Sequence, residues 1–442
     1  MRKQINDFIV TFNQIDFVKF LKNLLKNKYL KFCIIAALFV LIVISRRVDV
    51  ITYPQFYAED GVFWYSEAYN ANSFWEPFLI PKQGYFQTIS RIGGLLGSLV
   101  DIRYAPLIMN LLAIAIQISP ALFFLSNRFK SVVPSSTNRM IISLGYLMLP
   151  GTFETHANLT NAMWRLALLS FLIVISSPAT RLISKIFDFM VLLISGISGP
   201  FIFFLFPLML STYKSNEFRI NLYKFFPGAV AFLIQIYAFI ATFLGFYTKD
   251  VRSDAPLGAS IMVLFKLISG KIFIMGIFGM NIYQKIIHWN IWSNGILPTA
   301  IFVLVLFIFS YAYLKSKKEI RLFIIFSLLI LLAGMATPQV SLADPQWVAM
   351  LAPRAGNRYF LFPIMALLLS IVVFLLRNNK KNLYVSLIFI GCISIGIYRD
   401  WTIPKYKNYN FNSQVLEFEK ISAGDKFNFT IVPNWHFDLT KK

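Results

Sequence analysis

Two adjacent carboxylates, Glu59 and Asp60, lie in the segment PQFYAEDGVFWYSEAYN (54–70). A carboxylate in a partly dehydrated site has a raised pKa and can take a proton from a hydroxyl. Transfer of a group onto a sugar or lipid hydroxyl needs that step. Gly61 follows and permits a turn, and Phe63, Trp64 and Tyr65 bring rings suited to a membrane–water interface. An acidic pair in a loop has a plainer reading as well, a turn facing water. Its meaning depends on which other polar residues reach the same place.

Three further segments supply candidates. Gly84 and Tyr85 open a stretch that runs through Arg91, with Arg103 beyond it. The turn LPGTFETHANLTNAMWR (149–165) carries Glu154, His156, Asn158, Asn161, Trp164 and Arg165. Within it Trp164 reads as an interface anchor and His156 as a hydrogen-bonded loop residue, against the alternative that they bind substrate. Arg165, just inside an apolar run, is costly unless paired or facing a wet cavity. The loop PQVSLADPQWVAMLAPRAGNRYF (338–360) places Arg354 and Arg358 four residues apart beside Tyr359. Guanidinium forks suit phosphate oxygens; lipid-headgroup contact and pairing with loop acids are the alternatives.

The elements that must position these residues are membrane helices. The 442 residues are 57% hydrophobic and only 14% charged, against roughly 25% charged in soluble chains. That excludes a soluble multi-domain enzyme and a disordered chain. The fold expected is all-α and polytopic, with about eleven spans near 29–45, 104–125, 139–150, 162–177, 186–198, 200–212, 225–247, 294–314, 321–337, 359–376 and 383–397. Lys and Arg number 42 against 20 Asp and Glu, a net charge of +22. In this setting the excess is a topology signal, because basic residues stay on the cytoplasmic side, and no basic stripe of the nucleic-acid kind is visible.

Residues 1–28 read as a basic, amphipathic cytoplasmic segment and 29–397 as the transmembrane domain. Loops 46–103, 248–293 and 338–358 fall outside, as do most of the carboxylates. Residues 84–100 and 258–280 are apolar but read as helices on the membrane surface, with two short spans as the alternative for 258–280. The tail, 398–442, is an outer segment ending in the strand-like run FTIVPNWHFDL. Cys33 and Cys392 lie in separate apolar runs, and scattered His and Cys give no metal-ligand spacing. No cofactor is expected.

The order of parts is one span, an outer loop with an acidic pair, Trp75 and Pro77, and a glycine-led surface helix; Asp101, Arg103 and a second span complete it. This layout resembles the GT-C superfamily of polyprenyl-phosphate-sugar-dependent membrane glycosyltransferases, such as protein mannosyltransferases and lipid A aminoarabinose transferases. Three short segments carry the likeness: Ala58–Gly61 (AEDG), Asn158–Trp164 (NLTN-x-x-W) and Gly356–Pro363 (G-x-RYF-x-x-P). The surface helix departs from the family by opening Lys82-Gln83-Gly84-Tyr85 instead of with prolines. The resemblance implies a bacterial enzyme of the cytoplasmic membrane, of O-antigen or cell-envelope type. Its N-terminus would be cytoplasmic and its C-terminus periplasmic. Its partners would be the bilayer, a polyprenyl-phosphate sugar and a glycan or lipid acceptor. Asp60, or Glu59 beside it, would be the catalytic acid of the family, with Asp60 favoured. Arg354 and Arg358 would meet the lipid phosphate.

Rival readings are a lipid-linked-saccharide flippase or polysaccharide polymerase, and a secondary transporter. The first should line a path with charges deep in the spans, and the second should show an inverted repeat. Neither pattern is evident. The phosphate cradle GxxxxGK[ST] is absent, which disfavours ATP-driven transport.

Overall fold

A computed structural model describes residues 27–212, 215–247, 253–377 and 383–442. The amphipathic segment expected over 1–28 falls almost wholly outside the described residues. The described chain is mainly helical. In order come α1 (Lys28–Arg46), α2 (Thr88–Ser98), α3 (Ala105–Phe124), α4 (Ser136–Leu147), α5 (Ala162–Ile175), α6 (Leu182–Gly196), α7 (Ile202–Thr212) and α8 (Ser215–Phe243). Then follow α9 (Ile261–Phe278), α10 (Ile296–Lys315), α11 (Lys318–Ala336), α12 (Leu361–Arg377), α13 (Leu383–Arg399) and α14 (Phe411–Phe418). Strands β1 (Lys426–Ile431) and β2 (Trp435–Thr440) close the chain. Among the described residues, α1, α3, α8, α9, α10, α11 and α12 are long and apolar enough to cross a membrane, and α5, α7 and α13 are shorter apolar helices.

Local sequence explains the boundaries. The Asn27 side chain caps α1 by accepting from Tyr29 N–H at 3.0 Å, and Ser135 caps α4 by accepting from Asn138 N–H at 3.2 Å. α8 starts ten residues before the apolar run that marks it in the sequence, because its first turns are polar and basic. Within the 84–100 stretch the chain forms α2, 11 residues long, and both its flanks are tied to the same end of the bundle, Ile89 N–H donating to Ser198 Oγ at 2.9 Å and Arg103 reaching Glu419 of the tail at 2.6 Å.

Contacts sort the connections into two groups at opposite ends of the bundle. At one end Arg128 makes a fork to Asp188, with bonds of 2.8 and 2.6 Å. There too Lys317 donates to Ser131 O and Lys318 to Thr212 O. At the other end lie the first loop, the turn after α4, loop 338–358 and the tail. The segment around 198 also belongs there, since Ile89 N–H donates to Ser198 Oγ at 2.9 Å.

Helix α9 has the length and composition of a span, yet both its ends are tied to this second end. Gln346 N–H donates to Pro256 O at 2.9 Å just before it, and Met280 N–H donates to the Asp400 carboxylate at 2.9 Å just after it.

The tail is not helical throughout, which corrects the all-α expectation. β1 and β2 pair antiparallel, with Phe429 opposite Phe437, and their rings stack at 5.3 Å. The strand-like alternation of FTIVPNWHFDL was the sequence sign of this hairpin. It docks on the first loop. Ile403 N–H donates to Arg46 O at 2.8 Å, and Ala58 N–H donates to Val432 O at 2.6 Å. The ring of Phe56 meets those of Phe411 and Phe437 edge-on.

α2 presses on the first loop through glycine. A Cβ on Gly94 would sit 1.9 Å from the backbone carbonyl oxygen of Trp64, so any side chain forces the helix away. Gly94→Ala is therefore expected to cost about 1–3 kcal/mol and to lower the melting temperature in detergent by about 1–3 °C. An unchanged melting temperature would contradict this close approach.

Candidate functional site

A cavity of about 860 Å³ opens where the first loop, the turn after α4 and loop 338–358 meet. Its polar end is lined by Glu59, Lys82, Glu154, Asn161, Arg358 and Tyr359. Its apolar wall comes from α7, α8 and α11, through Phe203, Phe204, Phe239, Phe243, Ile330 and Ala333. The three short segments singled out in the sequence, 58–61, 158–164 and 356–363, all reach this one place.

The first loop delivers its acids through unusual backbone. Ala58 takes φ 48° and Ala157, in the facing turn, takes φ 49°; non-glycine residues hold this left-handed region at a cost, and such positions cluster at functional sites. A π-helical turn follows over Asp60–Tyr65. It turns Glu59 and Asp60 to different surroundings. Glu59 is half-buried on the cavity wall, whereas Asp60 is buried behind it and does not line the cavity. Asp60 Oδ2 accepts from Leu159 N–H at 3.3 Å, and Trp64 Nε1–H donates to Thr160 Oγ1 at 2.9 Å. Of the two acids singled out in the sequence, with Asp60 favoured, only Glu59 reaches the cavity. Alternation along an irregular turn could not reveal which acid faces inward.

Burial, then the neighbouring Glu59 charge, pushes the Asp60 carboxyl up to about 8, against the lowering effect of its bonds to Leu159 and Thr160. An unfolded Asp loses its proton near pH 4, and the folded one keeps it to about 8. The raised pKa makes this residue's contribution fully present below pH 4 and lost as pH rises towards 8. At 1.36 kcal/mol per unit the swing is on the order of several kcal/mol. Asp60→Asn should remove it, so the melting temperature of the variant gains on wild type between pH 4 and pH 8. A constant difference across that range would contradict a neutral buried Asp60.

At the cavity's cationic side, Glu154 and Arg358 form an ion pair through Arg358 Nη1. Glu154 also accepts from Arg358 N–H at 3.0 Å. Arg358 Nη2 donates to Gln339 O at 2.6 Å and to Tyr359 Oη at 3.0 Å. Asn161 knits the turn, donating to Glu154 O at 3.0 Å. Lys82 Nζ lies 3.1 Å from Glu67 and 4.9 Å from the centre of the Phe63 ring. The Tyr57 phenol is pushed well above its ordinary range by burial first, then by Tyr406, Glu154 and Glu59. Both acids therefore act on the same side chain.

Four residues proposed from the sequence for substrate binding lie elsewhere. Arg354 is exposed, with its guanidinium 5.5 Å from the centre of the Phe153 ring, and it does not line the cavity. Its four-residue spacing from Arg358 does not bring both inward, because the intervening chain is a turn with Gly356 at φ 64°. Arg91 is buried under the first loop, paired with Glu67 and donating to Ile80 O at 3.3 Å. Arg103 lies at the surface and fastens the tail, 2.6 Å from Glu419. His156 is a core residue. Its Nε2 bonds Val43 O at 2.9 Å and its Nδ1 meets Gln117 Nε2 at 3.2 Å. Burial, then Arg46 and Arg47, holds its pKa well below the usual imidazole value.

Sequence reasoning missed Lys82, Gln339, Trp435 and the binding side of Trp164, all of which line the cavity. The Lys82-Gln83-Gly84-Tyr85 opening, a departure from the family pattern, lines it entirely. Trp435 comes from the tip of the hairpin, whose contact with Tyr57 is a pairing across the length of the chain. Trp164, read as an interface anchor, is instead buried against Phe201 and Tyr359. Among the described residues no cluster of three or more His, Cys, Asp or Glu is arranged to hold a metal ion.

Comparison of the chain with known protein families, with curated proteins and with solved structures finds no match.

Proposed function

We propose that the chain is a membrane glycosyltransferase of GT-C type, which moves a sugar from a polyprenyl-phosphate donor to a glycan or lipid hydroxyl. One observation carries the reading. A single cavity joins a carboxylate, Glu59, and two cationic side chains, Arg358 and Lys82, to an apolar wall made by α7, α8 and α11. A lipid phosphate needs both halves: charge-assisted bonds for the headgroup and apolar surface for the tail.

In this reaction Glu59 takes the proton of the acceptor hydroxyl, and the freed oxygen attacks the anomeric carbon. The bond from that carbon to the phosphate oxygen breaks, and its electrons leave with the polyprenyl phosphate. Arg358 and Lys82 stabilise the charge on the departing phosphate. Asp60, holding its proton towards pH 8, stands behind the base without adding a second charge.

The same reading sets eleven spans in a bacterial cytoplasmic membrane, with the cavity on the periplasmic side and α9 along that face. Six helices from α3 to α8 and four from α10 to α13 then separate the first loop from the tail. That is an even number, which agrees with the bond from Ile403 N–H to Arg46 O. The basic connections at the opposite end agree with a cytoplasmic side there.

The test is incubation of the purified protein with polyprenyl-phosphate sugars and extracted lipid-linked glycans. Release of polyprenyl phosphate together with a glycosylated product is expected. Movement of labelled lipid across liposomes without cleavage of any donor would overturn the transferase reading in favour of a flippase.

A further inference from the structure

Trp164 forms part of the cavity wall, and its ring is buried. Its indole Nε1–H has no acceptor among the described residues. Other indoles of this region are satisfied: Trp64 Nε1–H donates to Thr160 Oγ1 at 2.9 Å and Trp347 Nε1–H to Met335 O at 2.8 Å. Gln339 lines the same cavity, and its side-chain Oε1 is buried without a donor. Tyr359 joins the two. Its ring meets that of Trp164 edge-on at 5.8 Å, and its hydroxyl accepts from Gln339 N–H at 3.0 Å. The Gln339 carbonyl is engaged by Arg358 Nη2 at 2.6 Å. The backbone of Gln339 is thus fixed, and its side-chain oxygen is left for something else.

A buried donor and a buried acceptor without partners are costly. They stand beside the guanidinium assigned above to the donor phosphate. A lipid tail has no group that could satisfy either one, and a phosphate offers acceptors but no donor and is matched by the neighbouring cations. A hydroxyl both donates and accepts. In a polyprenyl-phosphate sugar, hydroxyls begin within one ring of the phosphate.

We infer that Trp164 Nε1–H and the Gln339 side chain hydrogen-bond hydroxyls of the donor sugar and so determine which sugar is accepted. This rests on the donor class proposed above and adds the part of the cavity that reads the sugar. Sites built to hydrogen-bond a hydroxyl reject ligands that lack it, because their own polar groups are then left unpaired.

The experiment measures binding by the full-length protein in nanodiscs. The probes are bare polyprenyl phosphate and polyprenyl-phosphate glucose, galactose and mannose, with the tightest sugar probe carried forward. Trp164→Phe keeps a ring but removes the N–H, and Gln339→Leu removes the amide. Each variant is expected to weaken the sugar probe by about three- to tenfold, the scale of one neutral hydrogen bond, and to leave bare polyprenyl phosphate within about twofold. Gln339→Leu guards against a packing effect of the Trp164 change. Equal weakening of both probes in both variants, or no change in either, would overturn the inference. So would wild-type binding that gains nothing from the sugar, with the lipid-phosphate reading left standing. Wild-type protein that binds neither probe would instead overturn the donor class, and the inference with it.

Discussion

On the proposed reading, Glu59→Gln is expected to abolish sugar transfer while leaving donor binding within about twofold. The amide keeps the shape of the side chain on the cavity wall but cannot take a proton, and general-base catalysis contributes about 10²–10⁴-fold. Turnover should fall by that factor. Asp60→Asn should behave differently. Asp60 lies behind the wall and holds its proton up to about 8, so its loss alters the pH dependence of stability more than the chemistry. The pair of variants separates the two acids, which adjacency in sequence cannot. A transfer rate near wild type in Glu59→Gln, with Asp60→Asn inactive, would reverse the assignment.

Arg358→Met is expected to destabilise the fold and, on the proposed reading, to remove lipid-phosphate binding. Glu154 is buried, and its carboxylate faces the guanidinium and backbone N–H of Arg358. Deleting the cation leaves a buried charge without its partner, which costs about 3–5 kcal/mol. The double change Glu154→Leu with Arg358→Met removes both charges and should recover most of that loss. Donor affinity should stay low in the double variant, because no guanidinium remains for the phosphate. Thermal unfolding of the two variants, read beside binding of bare polyprenyl phosphate, checks both halves. Restored stability together with restored binding would show that Arg358 serves only as the partner of Glu154. Arg354→Ala is the control: its side chain is exposed and off the cavity, so both measurements should match wild type.

Much of this was legible in the sequence, for physical reasons. Helices meant for lipid carry long apolar runs, so α3, α5, α7 and α10 to α13 lie close to where hydropathy placed them. Local patterning also foretold the hairpin of β1 and β2. What local pattern does not carry is which loops meet. Glu154 and Arg358 are far apart in the chain and become partners only when α5 and α12 are packed in one bundle. Trp435 reaches the cavity because the tail folds back over the first loop. Arg91 and Arg103, plausible phosphate ligands by type, are taken up by Glu67 and Glu419. Those acids lie in segments that gave no reason to pair them. Irregular backbone hid the rest: in the left-handed step at Ala58 and the π-turn after it, the usual rules for which side chain faces where do not apply.

The most direct measurement is a structure of the Glu59→Gln protein determined with a polyprenyl-phosphate sugar trapped in it. The phosphate is expected within hydrogen-bond reach of Arg358, the first sugar ring between Trp164 and residue 59, and the tail along Phe203 and Phe239. Lipid density on another face of the bundle, or a headgroup in the cavity with its phosphate turned away from Arg358, would contradict the account.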